Sequence, residues 1–160
     1  SWTPSLAVAW DWHLSKQLVI GRDYNHTRGK DIVGPKDKRW PTKDWWVCFV
    51  PNVFQEWRIH VFNGKSIARG LKWQVEAPWR KLPVRNRGNG WRMVHDVDPP
   101  KKVREAGRKA VVACGYDFGA VDILLDEAGK VWMLEVNSAP GLDDYTCAAY
   151  AKAVNNYVTL

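Results

Sequence analysis

The stretch VDILLDEAGKVWMLEVNSAPGL, residues 121–142, contains two apolar runs that each carry an acid where a buried strand would hold an apolar residue. The polar, glycine-bearing segment 126–130 separates the two runs, and this arrangement predicts a β-hairpin. A turn near Ala128 places Asp122 on the first strand roughly opposite Glu135 on the second. The stretch therefore predicts two carboxylates that face each other across neighbouring strands.

Facing carboxylates repel each other unless a positive charge lies close to both. Asn137 falls on the same face as Glu135, because side chains alternate between the two faces of a strand. Hard cations such as Mg²⁺ bind carboxylate and amide oxygens of this kind. The alternative is that each acid pairs with an arginine and only closes the sheet. The following loop, SAPGL, favours the metal site, because its glycine lets the backbone come close to a ligand.

The rest of the chain alternates between strand and helix patterns. Asn63-Gly64 predicts a second hairpin over residues 56–73. Asp98, which precedes two prolines, predicts a helix N-cap, and Gly115 predicts the end of that helix. We also expect helices over 5–15 and 143–157, strands over 17–22 and 45–51, and a loop over 74–90. These elements predict an α+β fold, with an antiparallel sheet and helices on one side of it.

The composition is that of a globular protein. The 160 residues, 46% of them hydrophobic, suit one domain or two small lobes. The three cysteines have no metal-ligand spacing, and no apolar run reaches the length of about 18 residues that a membrane helix needs. We therefore expect a cytoplasmic protein with reduced thiols and no membrane partner. The formal charge of +7 favours an anionic partner, and the start at Ser1 without methionine suggests a fragment of a longer protein.

The pattern G-x-V-D-I-L, a short turn, then L-E-V-N-S-x-P-G-L closely resembles the metal-binding signature of the ATP-grasp superfamily, particularly its RimK-type and glutathione-synthetase-like ligases. The resemblance implies that Asp122, Glu135 and Asn137 hold Mg²⁺, or Mn²⁺, against the phosphates of ATP. It also implies that the loop from Ser138 to Gly141 lies beside the acceptor substrate.

Segments nearer the N-terminus resemble the nucleotide-binding parts of the same superfamily. LVIGR followed by NHTRGKDI is similar to the phosphate strand and its loop, with an arginine where a lysine is more usual. WWVCFVP is similar to the hinge whose backbone meets the adenine. The residues that the resemblance implies as nucleotide ligands here are Arg22, Thr27, Arg28, Gly29, Cys48, Phe49 and Val50.

Two further segments supply the implied catalytic and substrate residues. FQEWRIHVFNGKSIAR is similar to the superfamily's E-x-R-x-x-V strand, which implies that Glu56 binds the nucleotide and that Arg58 is catalytic. VRNRGNG resembles the arginine- and asparagine-bearing loop, which implies a catalytic Arg85 and substrate contacts from Asn86 or Asn89. The resemblance covers about residues 17–155, and the superfamily's N-terminal substrate domain is absent.

The resemblance implies an ATP-grasp fold, with a small lobe over residues 1–50 and a large lobe over 51–160 that grip ATP between them. The implied activity is that of an ATP-dependent ligase, which joins a carboxylate to an amine or thiol through an acyl phosphate. The implied partners are ATP, a carboxylate substrate, an amine or thiol acceptor that includes peptides and proteins, and the missing N-terminal domain or a partner chain that replaces it.

Two alternatives stay open. One is a nucleotide-binding ATP-grasp protein without catalytic activity. The other is a basic domain that binds single-stranded nucleic acid through its eleven tryptophans. A nucleic-acid site gives no reason for acids at Asp122 and Glu135, because carboxylates repel phosphates, so we do not expect nucleic acid as a partner.

Overall fold

The computed structural model describes residues 2–24, 32–49, 53–75 and 85–159. The chain divides into two compact units. The first contains the described residues up to 49 together with 85–90, and the second contains 53–75 and 91–159. The lobe boundary between residues 50 and 51 remains a prediction.

The first unit is a small antiparallel sheet with one helix. Its strands have the order β1-β3-β2. The helix begins after Ser5, whose side chain accepts a hydrogen bond from the Val8 backbone N–H and so caps the first turn. The expected helix and both expected strands are confirmed. The elements are β1 Trp2–Thr3, α1 Leu6–Leu14, β2 Val19–Arg22, β3 Trp45–Cys48 and two 3₁₀ turns, Trp40–Thr42 and Arg87–Asn89.

Tryptophans fill the core of the first unit. Trp40 is fully buried and meets Trp10 and Trp46 edge to face, with ring centroids 4.7 and 5.9 Å away. Gly21 on β2 allows the Lys43 side chain to cross the strand, because a Cβ at Gly21 would lie 2.8 Å from Lys43 Cγ. Trp40 and Trp46 are therefore core residues rather than exposed stacking platforms, whereas Trp10 is 37% exposed.

The second unit is a five-stranded antiparallel sheet with two helices. The strand order is β6-β5-β4-β7-β8. Both predicted hairpins and the α+β class are confirmed. Within the described ranges, no helix combines the length and apolar character needed to cross a bilayer. The elements are β4 Val53–Phe62, β5 Lys65–Gln74, β6 Trp91–Val94, α2 Lys101–Ala113, β7 Phe118–Asp126, β8 Val131–Asn137 and α3 Asp144–Val158.

Each hairpin has a tight turn and one bulged residue. Asn63 and Gly64 both have positive φ angles, 44° and 67°, as expected for the turn that best matches strand twist. The β4–β5 pairing shifts by one residue at Ile67, and the β7–β8 pairing shifts by one at Leu134. A bulge re-aims the side chains beyond it, so these two residues determine which side chains face each other.

The core of the second unit lies between the sheet and α2. Trp57, Ile59 and Val61 of β4 face this helix. Gly107 lets the helix approach closely, since a Cβ there would lie 2.7 Å from Ile59 Cβ. The buried members of this core are Trp57, Ile59, Val61, Leu71, Val103, Ala110, Val111, Val121, Ile123 and Leu125.

Two local expectations are wrong, and one strand was missed. Pro100, not Asp98, is the N-cap of α2, because the two prolines delay the helix start and Asp98 pairs with Arg69 instead, at 2.9 Å. The predicted loop over 74–90 is followed by the strand β6, which the sequence pattern did not indicate. The helices do not share one side: α3 contacts His60 and Phe62, which alternate with the residues beneath α2.

Candidate active site

The sheet face opposite α2 carries a row of charged and polar side chains. They come from alternate positions of four neighbouring strands, so the period of two places them together. We call this group the polar face. Its members are Glu56, Arg58 and His60 on β4, Lys72 on β5, Asp122 on β7, and Glu135 and Asn137 on β8.

Arg58 and Asp122 form a bidentate ion pair at the centre of the polar face. Nε and Nη2 of Arg58 donate to Oδ1 and Oδ2 of Asp122, each at 2.7 Å. Asp122 is only 5% exposed. The hydrogen bond to Asp122 raises the pKa of Arg58 despite burial, and the charges of Asp122, Glu135 and Glu56 add to this. The sequence had left open that an acid pairs with an arginine, and Asp122 does so.

Asp122 and Glu135 are direct cross-strand partners, as the sequence predicted. Asn137 lies on the same face, and its Nδ2 donates to Glu135 Oε1 at 3.1 Å. That bond leaves the amide oxygen of Asn137 available, and each carboxylate oxygen can accept more than one bond. The polar face therefore presents two carboxylates and one amide oxygen close together.

This donor set fits a hard divalent cation, which prefers carboxylate and amide oxygens. In the part of the chain that the structure describes, no three His, Cys, Asp or Glu side chains form a metal-binding group. A cation at the polar face would thus be held by Asp122, Glu135 and Asn137, with its remaining ligands coming from phosphate or water.

Glu56 forms an ion pair with Lys72, which the sequence reasoning did not assign to the site. Glu56 is 6% exposed, so its charge needs this partner. The sequence alone could not predict this pair, because a hairpin register without a bulge would place Leu71 opposite Glu56. The bulge at Ile67 moves Lys72 into that position.

His60 is a second residue of the face to which the sequence assigned no role. Tyr150 of α3 donates its hydroxyl proton to the Gly119 carbonyl at 3.0 Å, so His60 Nδ1 must donate to the Tyr150 oxygen, 3.3 Å away. Burial, followed by the charge of Arg58, lowers the pKa of His60 to about 4. Burial raises the pKa of Tyr150 to about 12. Both groups are therefore neutral near pH 7.

The proposed substrate loop runs from the end of β8 to the N-terminus of α3. Asp143 caps α3 through Thr146, and its other oxygen is 2.8 Å from His95 Nε2. Burial alone would raise the pKa of Asp143, but hydrogen bonds from Thr146 and His95 lower it to about 2. Ser138 is exposed, and a Cβ at Gly141 would meet no atom within 4 Å. The loop is thus anchored at both ends and leaves space beside Gly141.

In the first unit, the implied nucleotide residues lie at strand ends. Arg22 ends β2, and Cys48 ends β3 with its thiol donating to Gln17 Oε1 at 2.7 Å. Burial raises the pKa of the Cys48 thiol. The Phe49 backbone N–H donates to the Leu18 carbonyl at 2.8 Å. Thr27, Arg28, Gly29 and Val50 lie outside the described residues.

A buried lysine near Arg22 was also missed. Lys43 is 2.6 Å from Asp23, the residue after Arg22, and its side chain is 7% exposed. In the sequence, Lys43 stands in a polar, proline-bearing connection, where lysine is ordinarily solvated. Nothing in the pattern indicated that the 3₁₀ turn before it would bury its side chain.

Three residues that the resemblance implies for catalysis or substrate binding lie around the second 3₁₀ turn of the first unit, Arg87–Asn89. Arg85 and Asn86 precede it and are half-buried. Asn89 ends it and is 4% exposed. Of the two asparagines, Asn86 therefore offers the more accessible side chain.

Comparison with known proteins identifies the family. Residues 70–158 match the tubulin-tyrosine ligase family. The chain belongs to the tubulin-tyrosine ligase family. The matched range of this family member includes Lys72, Asp122, Glu135 and Asn137, and it begins after Glu56 and Arg58.

Solved structures establish the fold of this family member as ATP-grasp. The ATP-grasp ligase PsnB complexed with minimal precursor, Mg and ADP aligns with a TM-score of 0.65 and 16% identity, over 94% of this chain and 50% of that chain. D-alanine–D-alanine ligase from Bacillus anthracis gives 0.60 and 17%, over 91% and 53%. A RiPP-associated ATP-grasp ligase of Chryseobacterium gregarium, in complex with ADP and a leader and core peptide, gives 0.58 and 12%, over 88% and 46%.

Curated sequence relatives agree over shorter segments. D-alanine–D-alanine ligase of Dechloromonas aromatica (strain RCB) is 48% identical over 48 residues, which are 29% of this chain and 16% of that protein. The enzyme of Halorhodospira halophila is 38% identical over 58 residues, 34% and 19% of the two chains. The matches thus span less than a fifth of these relatives. The predicted ATP-grasp membership is confirmed, and the narrower RimK-type assignment stays a prediction.

Proposed function

We propose that this chain is the catalytic region of an ATP-dependent ligase that joins a carboxylate to an amine, or to a thiol, through an acyl phosphate. The observation that carries the proposal is the pair of carboxylates, Asp122 and Glu135, that face each other beside Arg58. Holding two acids opposite each other on neighbouring strands has a cost that a sheet needing only closure would avoid. A cation bound between the two carboxylates would offset their repulsion and would also bind phosphates.

Asp122, Glu135 and Asn137 are the residues that we propose to hold Mg²⁺ or Mn²⁺. The cation, when bound with ATP, would neutralise charge on the phosphate oxygens. Arg58 supports this arrangement by fixing the Asp122 carboxylate through two hydrogen bonds. A ligand whose orientation is fixed in advance loses less entropy when the metal binds.

Arg58 is also the proposed catalytic cation. Two of its five N–H donors are used by Asp122, so three remain for phosphate or acyl-phosphate oxygens. Its raised pKa keeps it charged at any physiological pH. We assign Arg85 the same role from the resemblance alone. No side chain needs to act as a nucleophile, because positioning and charge neutralisation are the main demands of phosphoryl transfer.

The reaction would proceed in two steps. A substrate carboxylate oxygen attacks the γ-phosphorus of ATP, and ADP leaves. The amine then attacks the acyl carbon, inorganic phosphate leaves, and the amine nitrogen loses a proton. The remaining proposed contacts are those of Glu56, Arg22, Thr27, Arg28, Gly29, Cys48, Phe49 and Val50 with the nucleotide, and of Asn86, Asn89, Ser138 and Gly141 with the substrates.

A peptide is the acceptor class that we favour. Two of the structural neighbours were solved with precursor or leader and core peptides. The proposed substrate loop of this chain is open beside Gly141, where an extended chain can approach the backbone. The activity assay described next would identify the carboxylate and amine substrates.

The test is ADP release from Mg-ATP in the presence of a panel of carboxylates, amines and short peptides. Glu135→Gln should abolish release, whereas Glu127→Gln should leave it unchanged, because Glu127 is an exposed acid in the turn of the same hairpin. Full release by Glu135→Gln would overturn the metal assignment. ATP binding without release from any pair of substrates would favour the non-catalytic alternative.

A further inference from the structure

A second cluster of charge lies away from the polar face, at an uncovered edge of the sheet. β6 pairs only with residues 71–74 of β5. Residues 66–69 therefore have β4 on one side and, among the described strands, no partner on the other. A cavity of about 90 Å³ opens at this edge, lined by Ser66, Ile67, Ala68, Arg69, Asp98, Pro99 and Arg104. None of the residues proposed for catalysis, metal or nucleotide lines it.

Arg69 is held at the cavity wall by two contacts, which leave three of its five N–H donors unused among the described residues. Its Nη2 lies 2.9 Å from Asp98 Oδ1, and its Nη1 donates to the Tyr145 hydroxyl at 2.8 Å. Its Nε is buried and has no acceptor among the described residues. A buried donor without an acceptor costs free energy, while each Nη group of Arg69 keeps a second N–H for a ligand oxygen.

Arg104 contributes the second cation of the cavity. It is exposed on the first turn of α2, and the described part of the chain gives it no ion pair. The cavity thus contains two arginines and one acid, and that acid, Asp98, has a side chain that is 78% exposed. The net charge of the cavity is therefore +1.

Backbone N–H groups at the N-terminus of α2, beside the cavity, also lack hydrogen-bond acceptors among the described residues. No side chain caps α2, and the first N–H groups of a helix have no partner within the helix. These groups add a partial positive charge to that of the arginines. The cavity is therefore positive from both side chains and backbone.

We propose that this cavity binds a carboxylate group. A net charge of +1 matches a single negative charge better than it matches the double charge of phosphate near pH 7. The planar guanidinium of arginine matches the two oxygens of a carboxylate. The volume of about 90 Å³ admits a group of that size. The carboxylate would belong to a small acid or to the end of a peptide, and the proposal does not depend on the proposed ligase activity.

The test compares the thermal midpoint of the intact chain in sodium acetate, sodium phosphate and sodium chloride at matched ionic strength. A ligand that binds only the native state raises the midpoint in proportion to its saturation. Acetate should raise it more than chloride does. Arg104→Gln should weaken the acetate response about tenfold in half-saturating concentration, the size expected for one charged hydrogen bond.

Arg108→Gln is the matched control. It removes the same charge from the same helix, but Arg108 pairs with Glu105 and lies outside the cavity. This variant should respond to acetate as the wild type does, which separates the cavity from general salt effects. Equal responses of Arg104→Gln and wild type would overturn the proposal. A tighter response to phosphate than to acetate would overturn the carboxylate assignment.

A second arm identifies the source of the carboxylate. N-acetyl-alanyl-alanine with a free carboxylate is compared with its C-terminal amide. A rise with the free acid and none with the amide supports a peptide end as the ligand. A rise with acetate alone supports a small acid. If neither acetate nor the free acid acts through Arg104, the cavity does not bind carboxylates.

Discussion

The two hairpins of the second unit share one geometric feature, a bulged residue, but differ in the charges that the bulge brings together. In each, one bulged residue, Ile67 in β5 or Leu134 in β8, shifts the pairing and brings two ionisable side chains face to face. In the β4–β5 hairpin the result is Glu56 against Lys72, which neutralise each other. In the β7–β8 hairpin it is Asp122 against Glu135, which repel each other.

The difference is that one hairpin neutralises its own facing charges and the other does not. The Glu56–Lys72 pair is complete within its own hairpin. The Asp122–Glu135 pair needs Arg58 from the other hairpin, and among the described residues Arg58 donates hydrogen bonds only to Asp122. Glu135 is left with a hydrogen bond from Asn137 and exposure to solvent. The second hairpin therefore retains negative charge that a cation can use.

The largest effect is expected from removing the cation shared between the hairpins. Arg58→Met should lower the free energy of unfolding by about 3 to 5 kcal/mol, because Asp122 would then be buried, unpaired and opposite Glu135. Urea denaturation measures the loss. Adding Asp122→Leu should restore most of it, since no buried charge remains. A loss below about 1 kcal/mol in the single variant would mean that Asp122 is not desolvated.

A smaller loss is expected in the hairpin whose charges are already matched. Lys72→Met should lower the free energy of unfolding by about 2 to 3 kcal/mol, because Glu56 loses its direct partner but stays within the field of Arg58. The same urea measurement applies, with Lys65→Met at the exposed start of β5 as the control. If Lys72→Met costs more than Arg58→Met, the contrast between the hairpins is wrong.

The pH dependence of stability tests whether His60, on the polar face beside Arg58, is shielded from water. The pKa of His60 is about 4 in the folded chain, below its ordinary value of 6.5, so the unfolded chain binds more protons between these values. The contribution of His60 to stability should therefore be fully present above pH 6.5 and should fall by about 2 to 3 kcal/mol as the pH drops toward 4.

His60→Asn keeps a donor for Tyr150 but cannot titrate, so urea midpoints of this variant should fall less than those of wild type across the same window. Asp143, with a pKa of about 2, affects stability only below pH 3.8 and does not interfere. Parallel pH curves for the two proteins would show that His60 is hydrated.

Much of the fold follows from local signals. Asn63-Gly64 specified one hairpin, and the acids and glycine after Leu125 specified the other. What failed depended on contacts distant in sequence. β6 forms on the edge of β5 that faces away from β4, along residues 71–74, and this edge lies outside any local pattern around residue 91. The side of the sheet that α3 covers is determined by Tyr150 meeting His60 and Gly119, and no periodicity in α3 reveals that.

The candidate site divides in the same way. The motif around Asp122, Glu135 and Asn137 could be recognised, because its residues are close in sequence and their alternation is readable. Lys72 and Lys43 could not, because one depends on a bulge and the other on burial by a 3₁₀ turn. The pairing of Arg58 with Asp122 joins strands 64 positions apart, which no single-sequence pattern reports.

The weakest effect on stability and the strongest on binding should come from the same residue. Glu135→Gln removes an exposed charge opposite Asp122, so the unfolding free energy should change by no more than about 0.5 kcal/mol. Any loss of ligand binding would then be a property of the site and not of the fold. Glu127→Gln again serves as the control.

The most direct test of the account is the thermal midpoint of wild type and Glu135→Gln with Mg²⁺ alone, with ATP alone and with both. A ligand bound only by the native state must raise the midpoint. We predict a clear rise in wild type that needs both ligands, and an unchanged starting midpoint with no such rise in Glu135→Gln. No rise in wild type, or the same rise in both proteins, would contradict the claim that the facing carboxylates form the metal-nucleotide site.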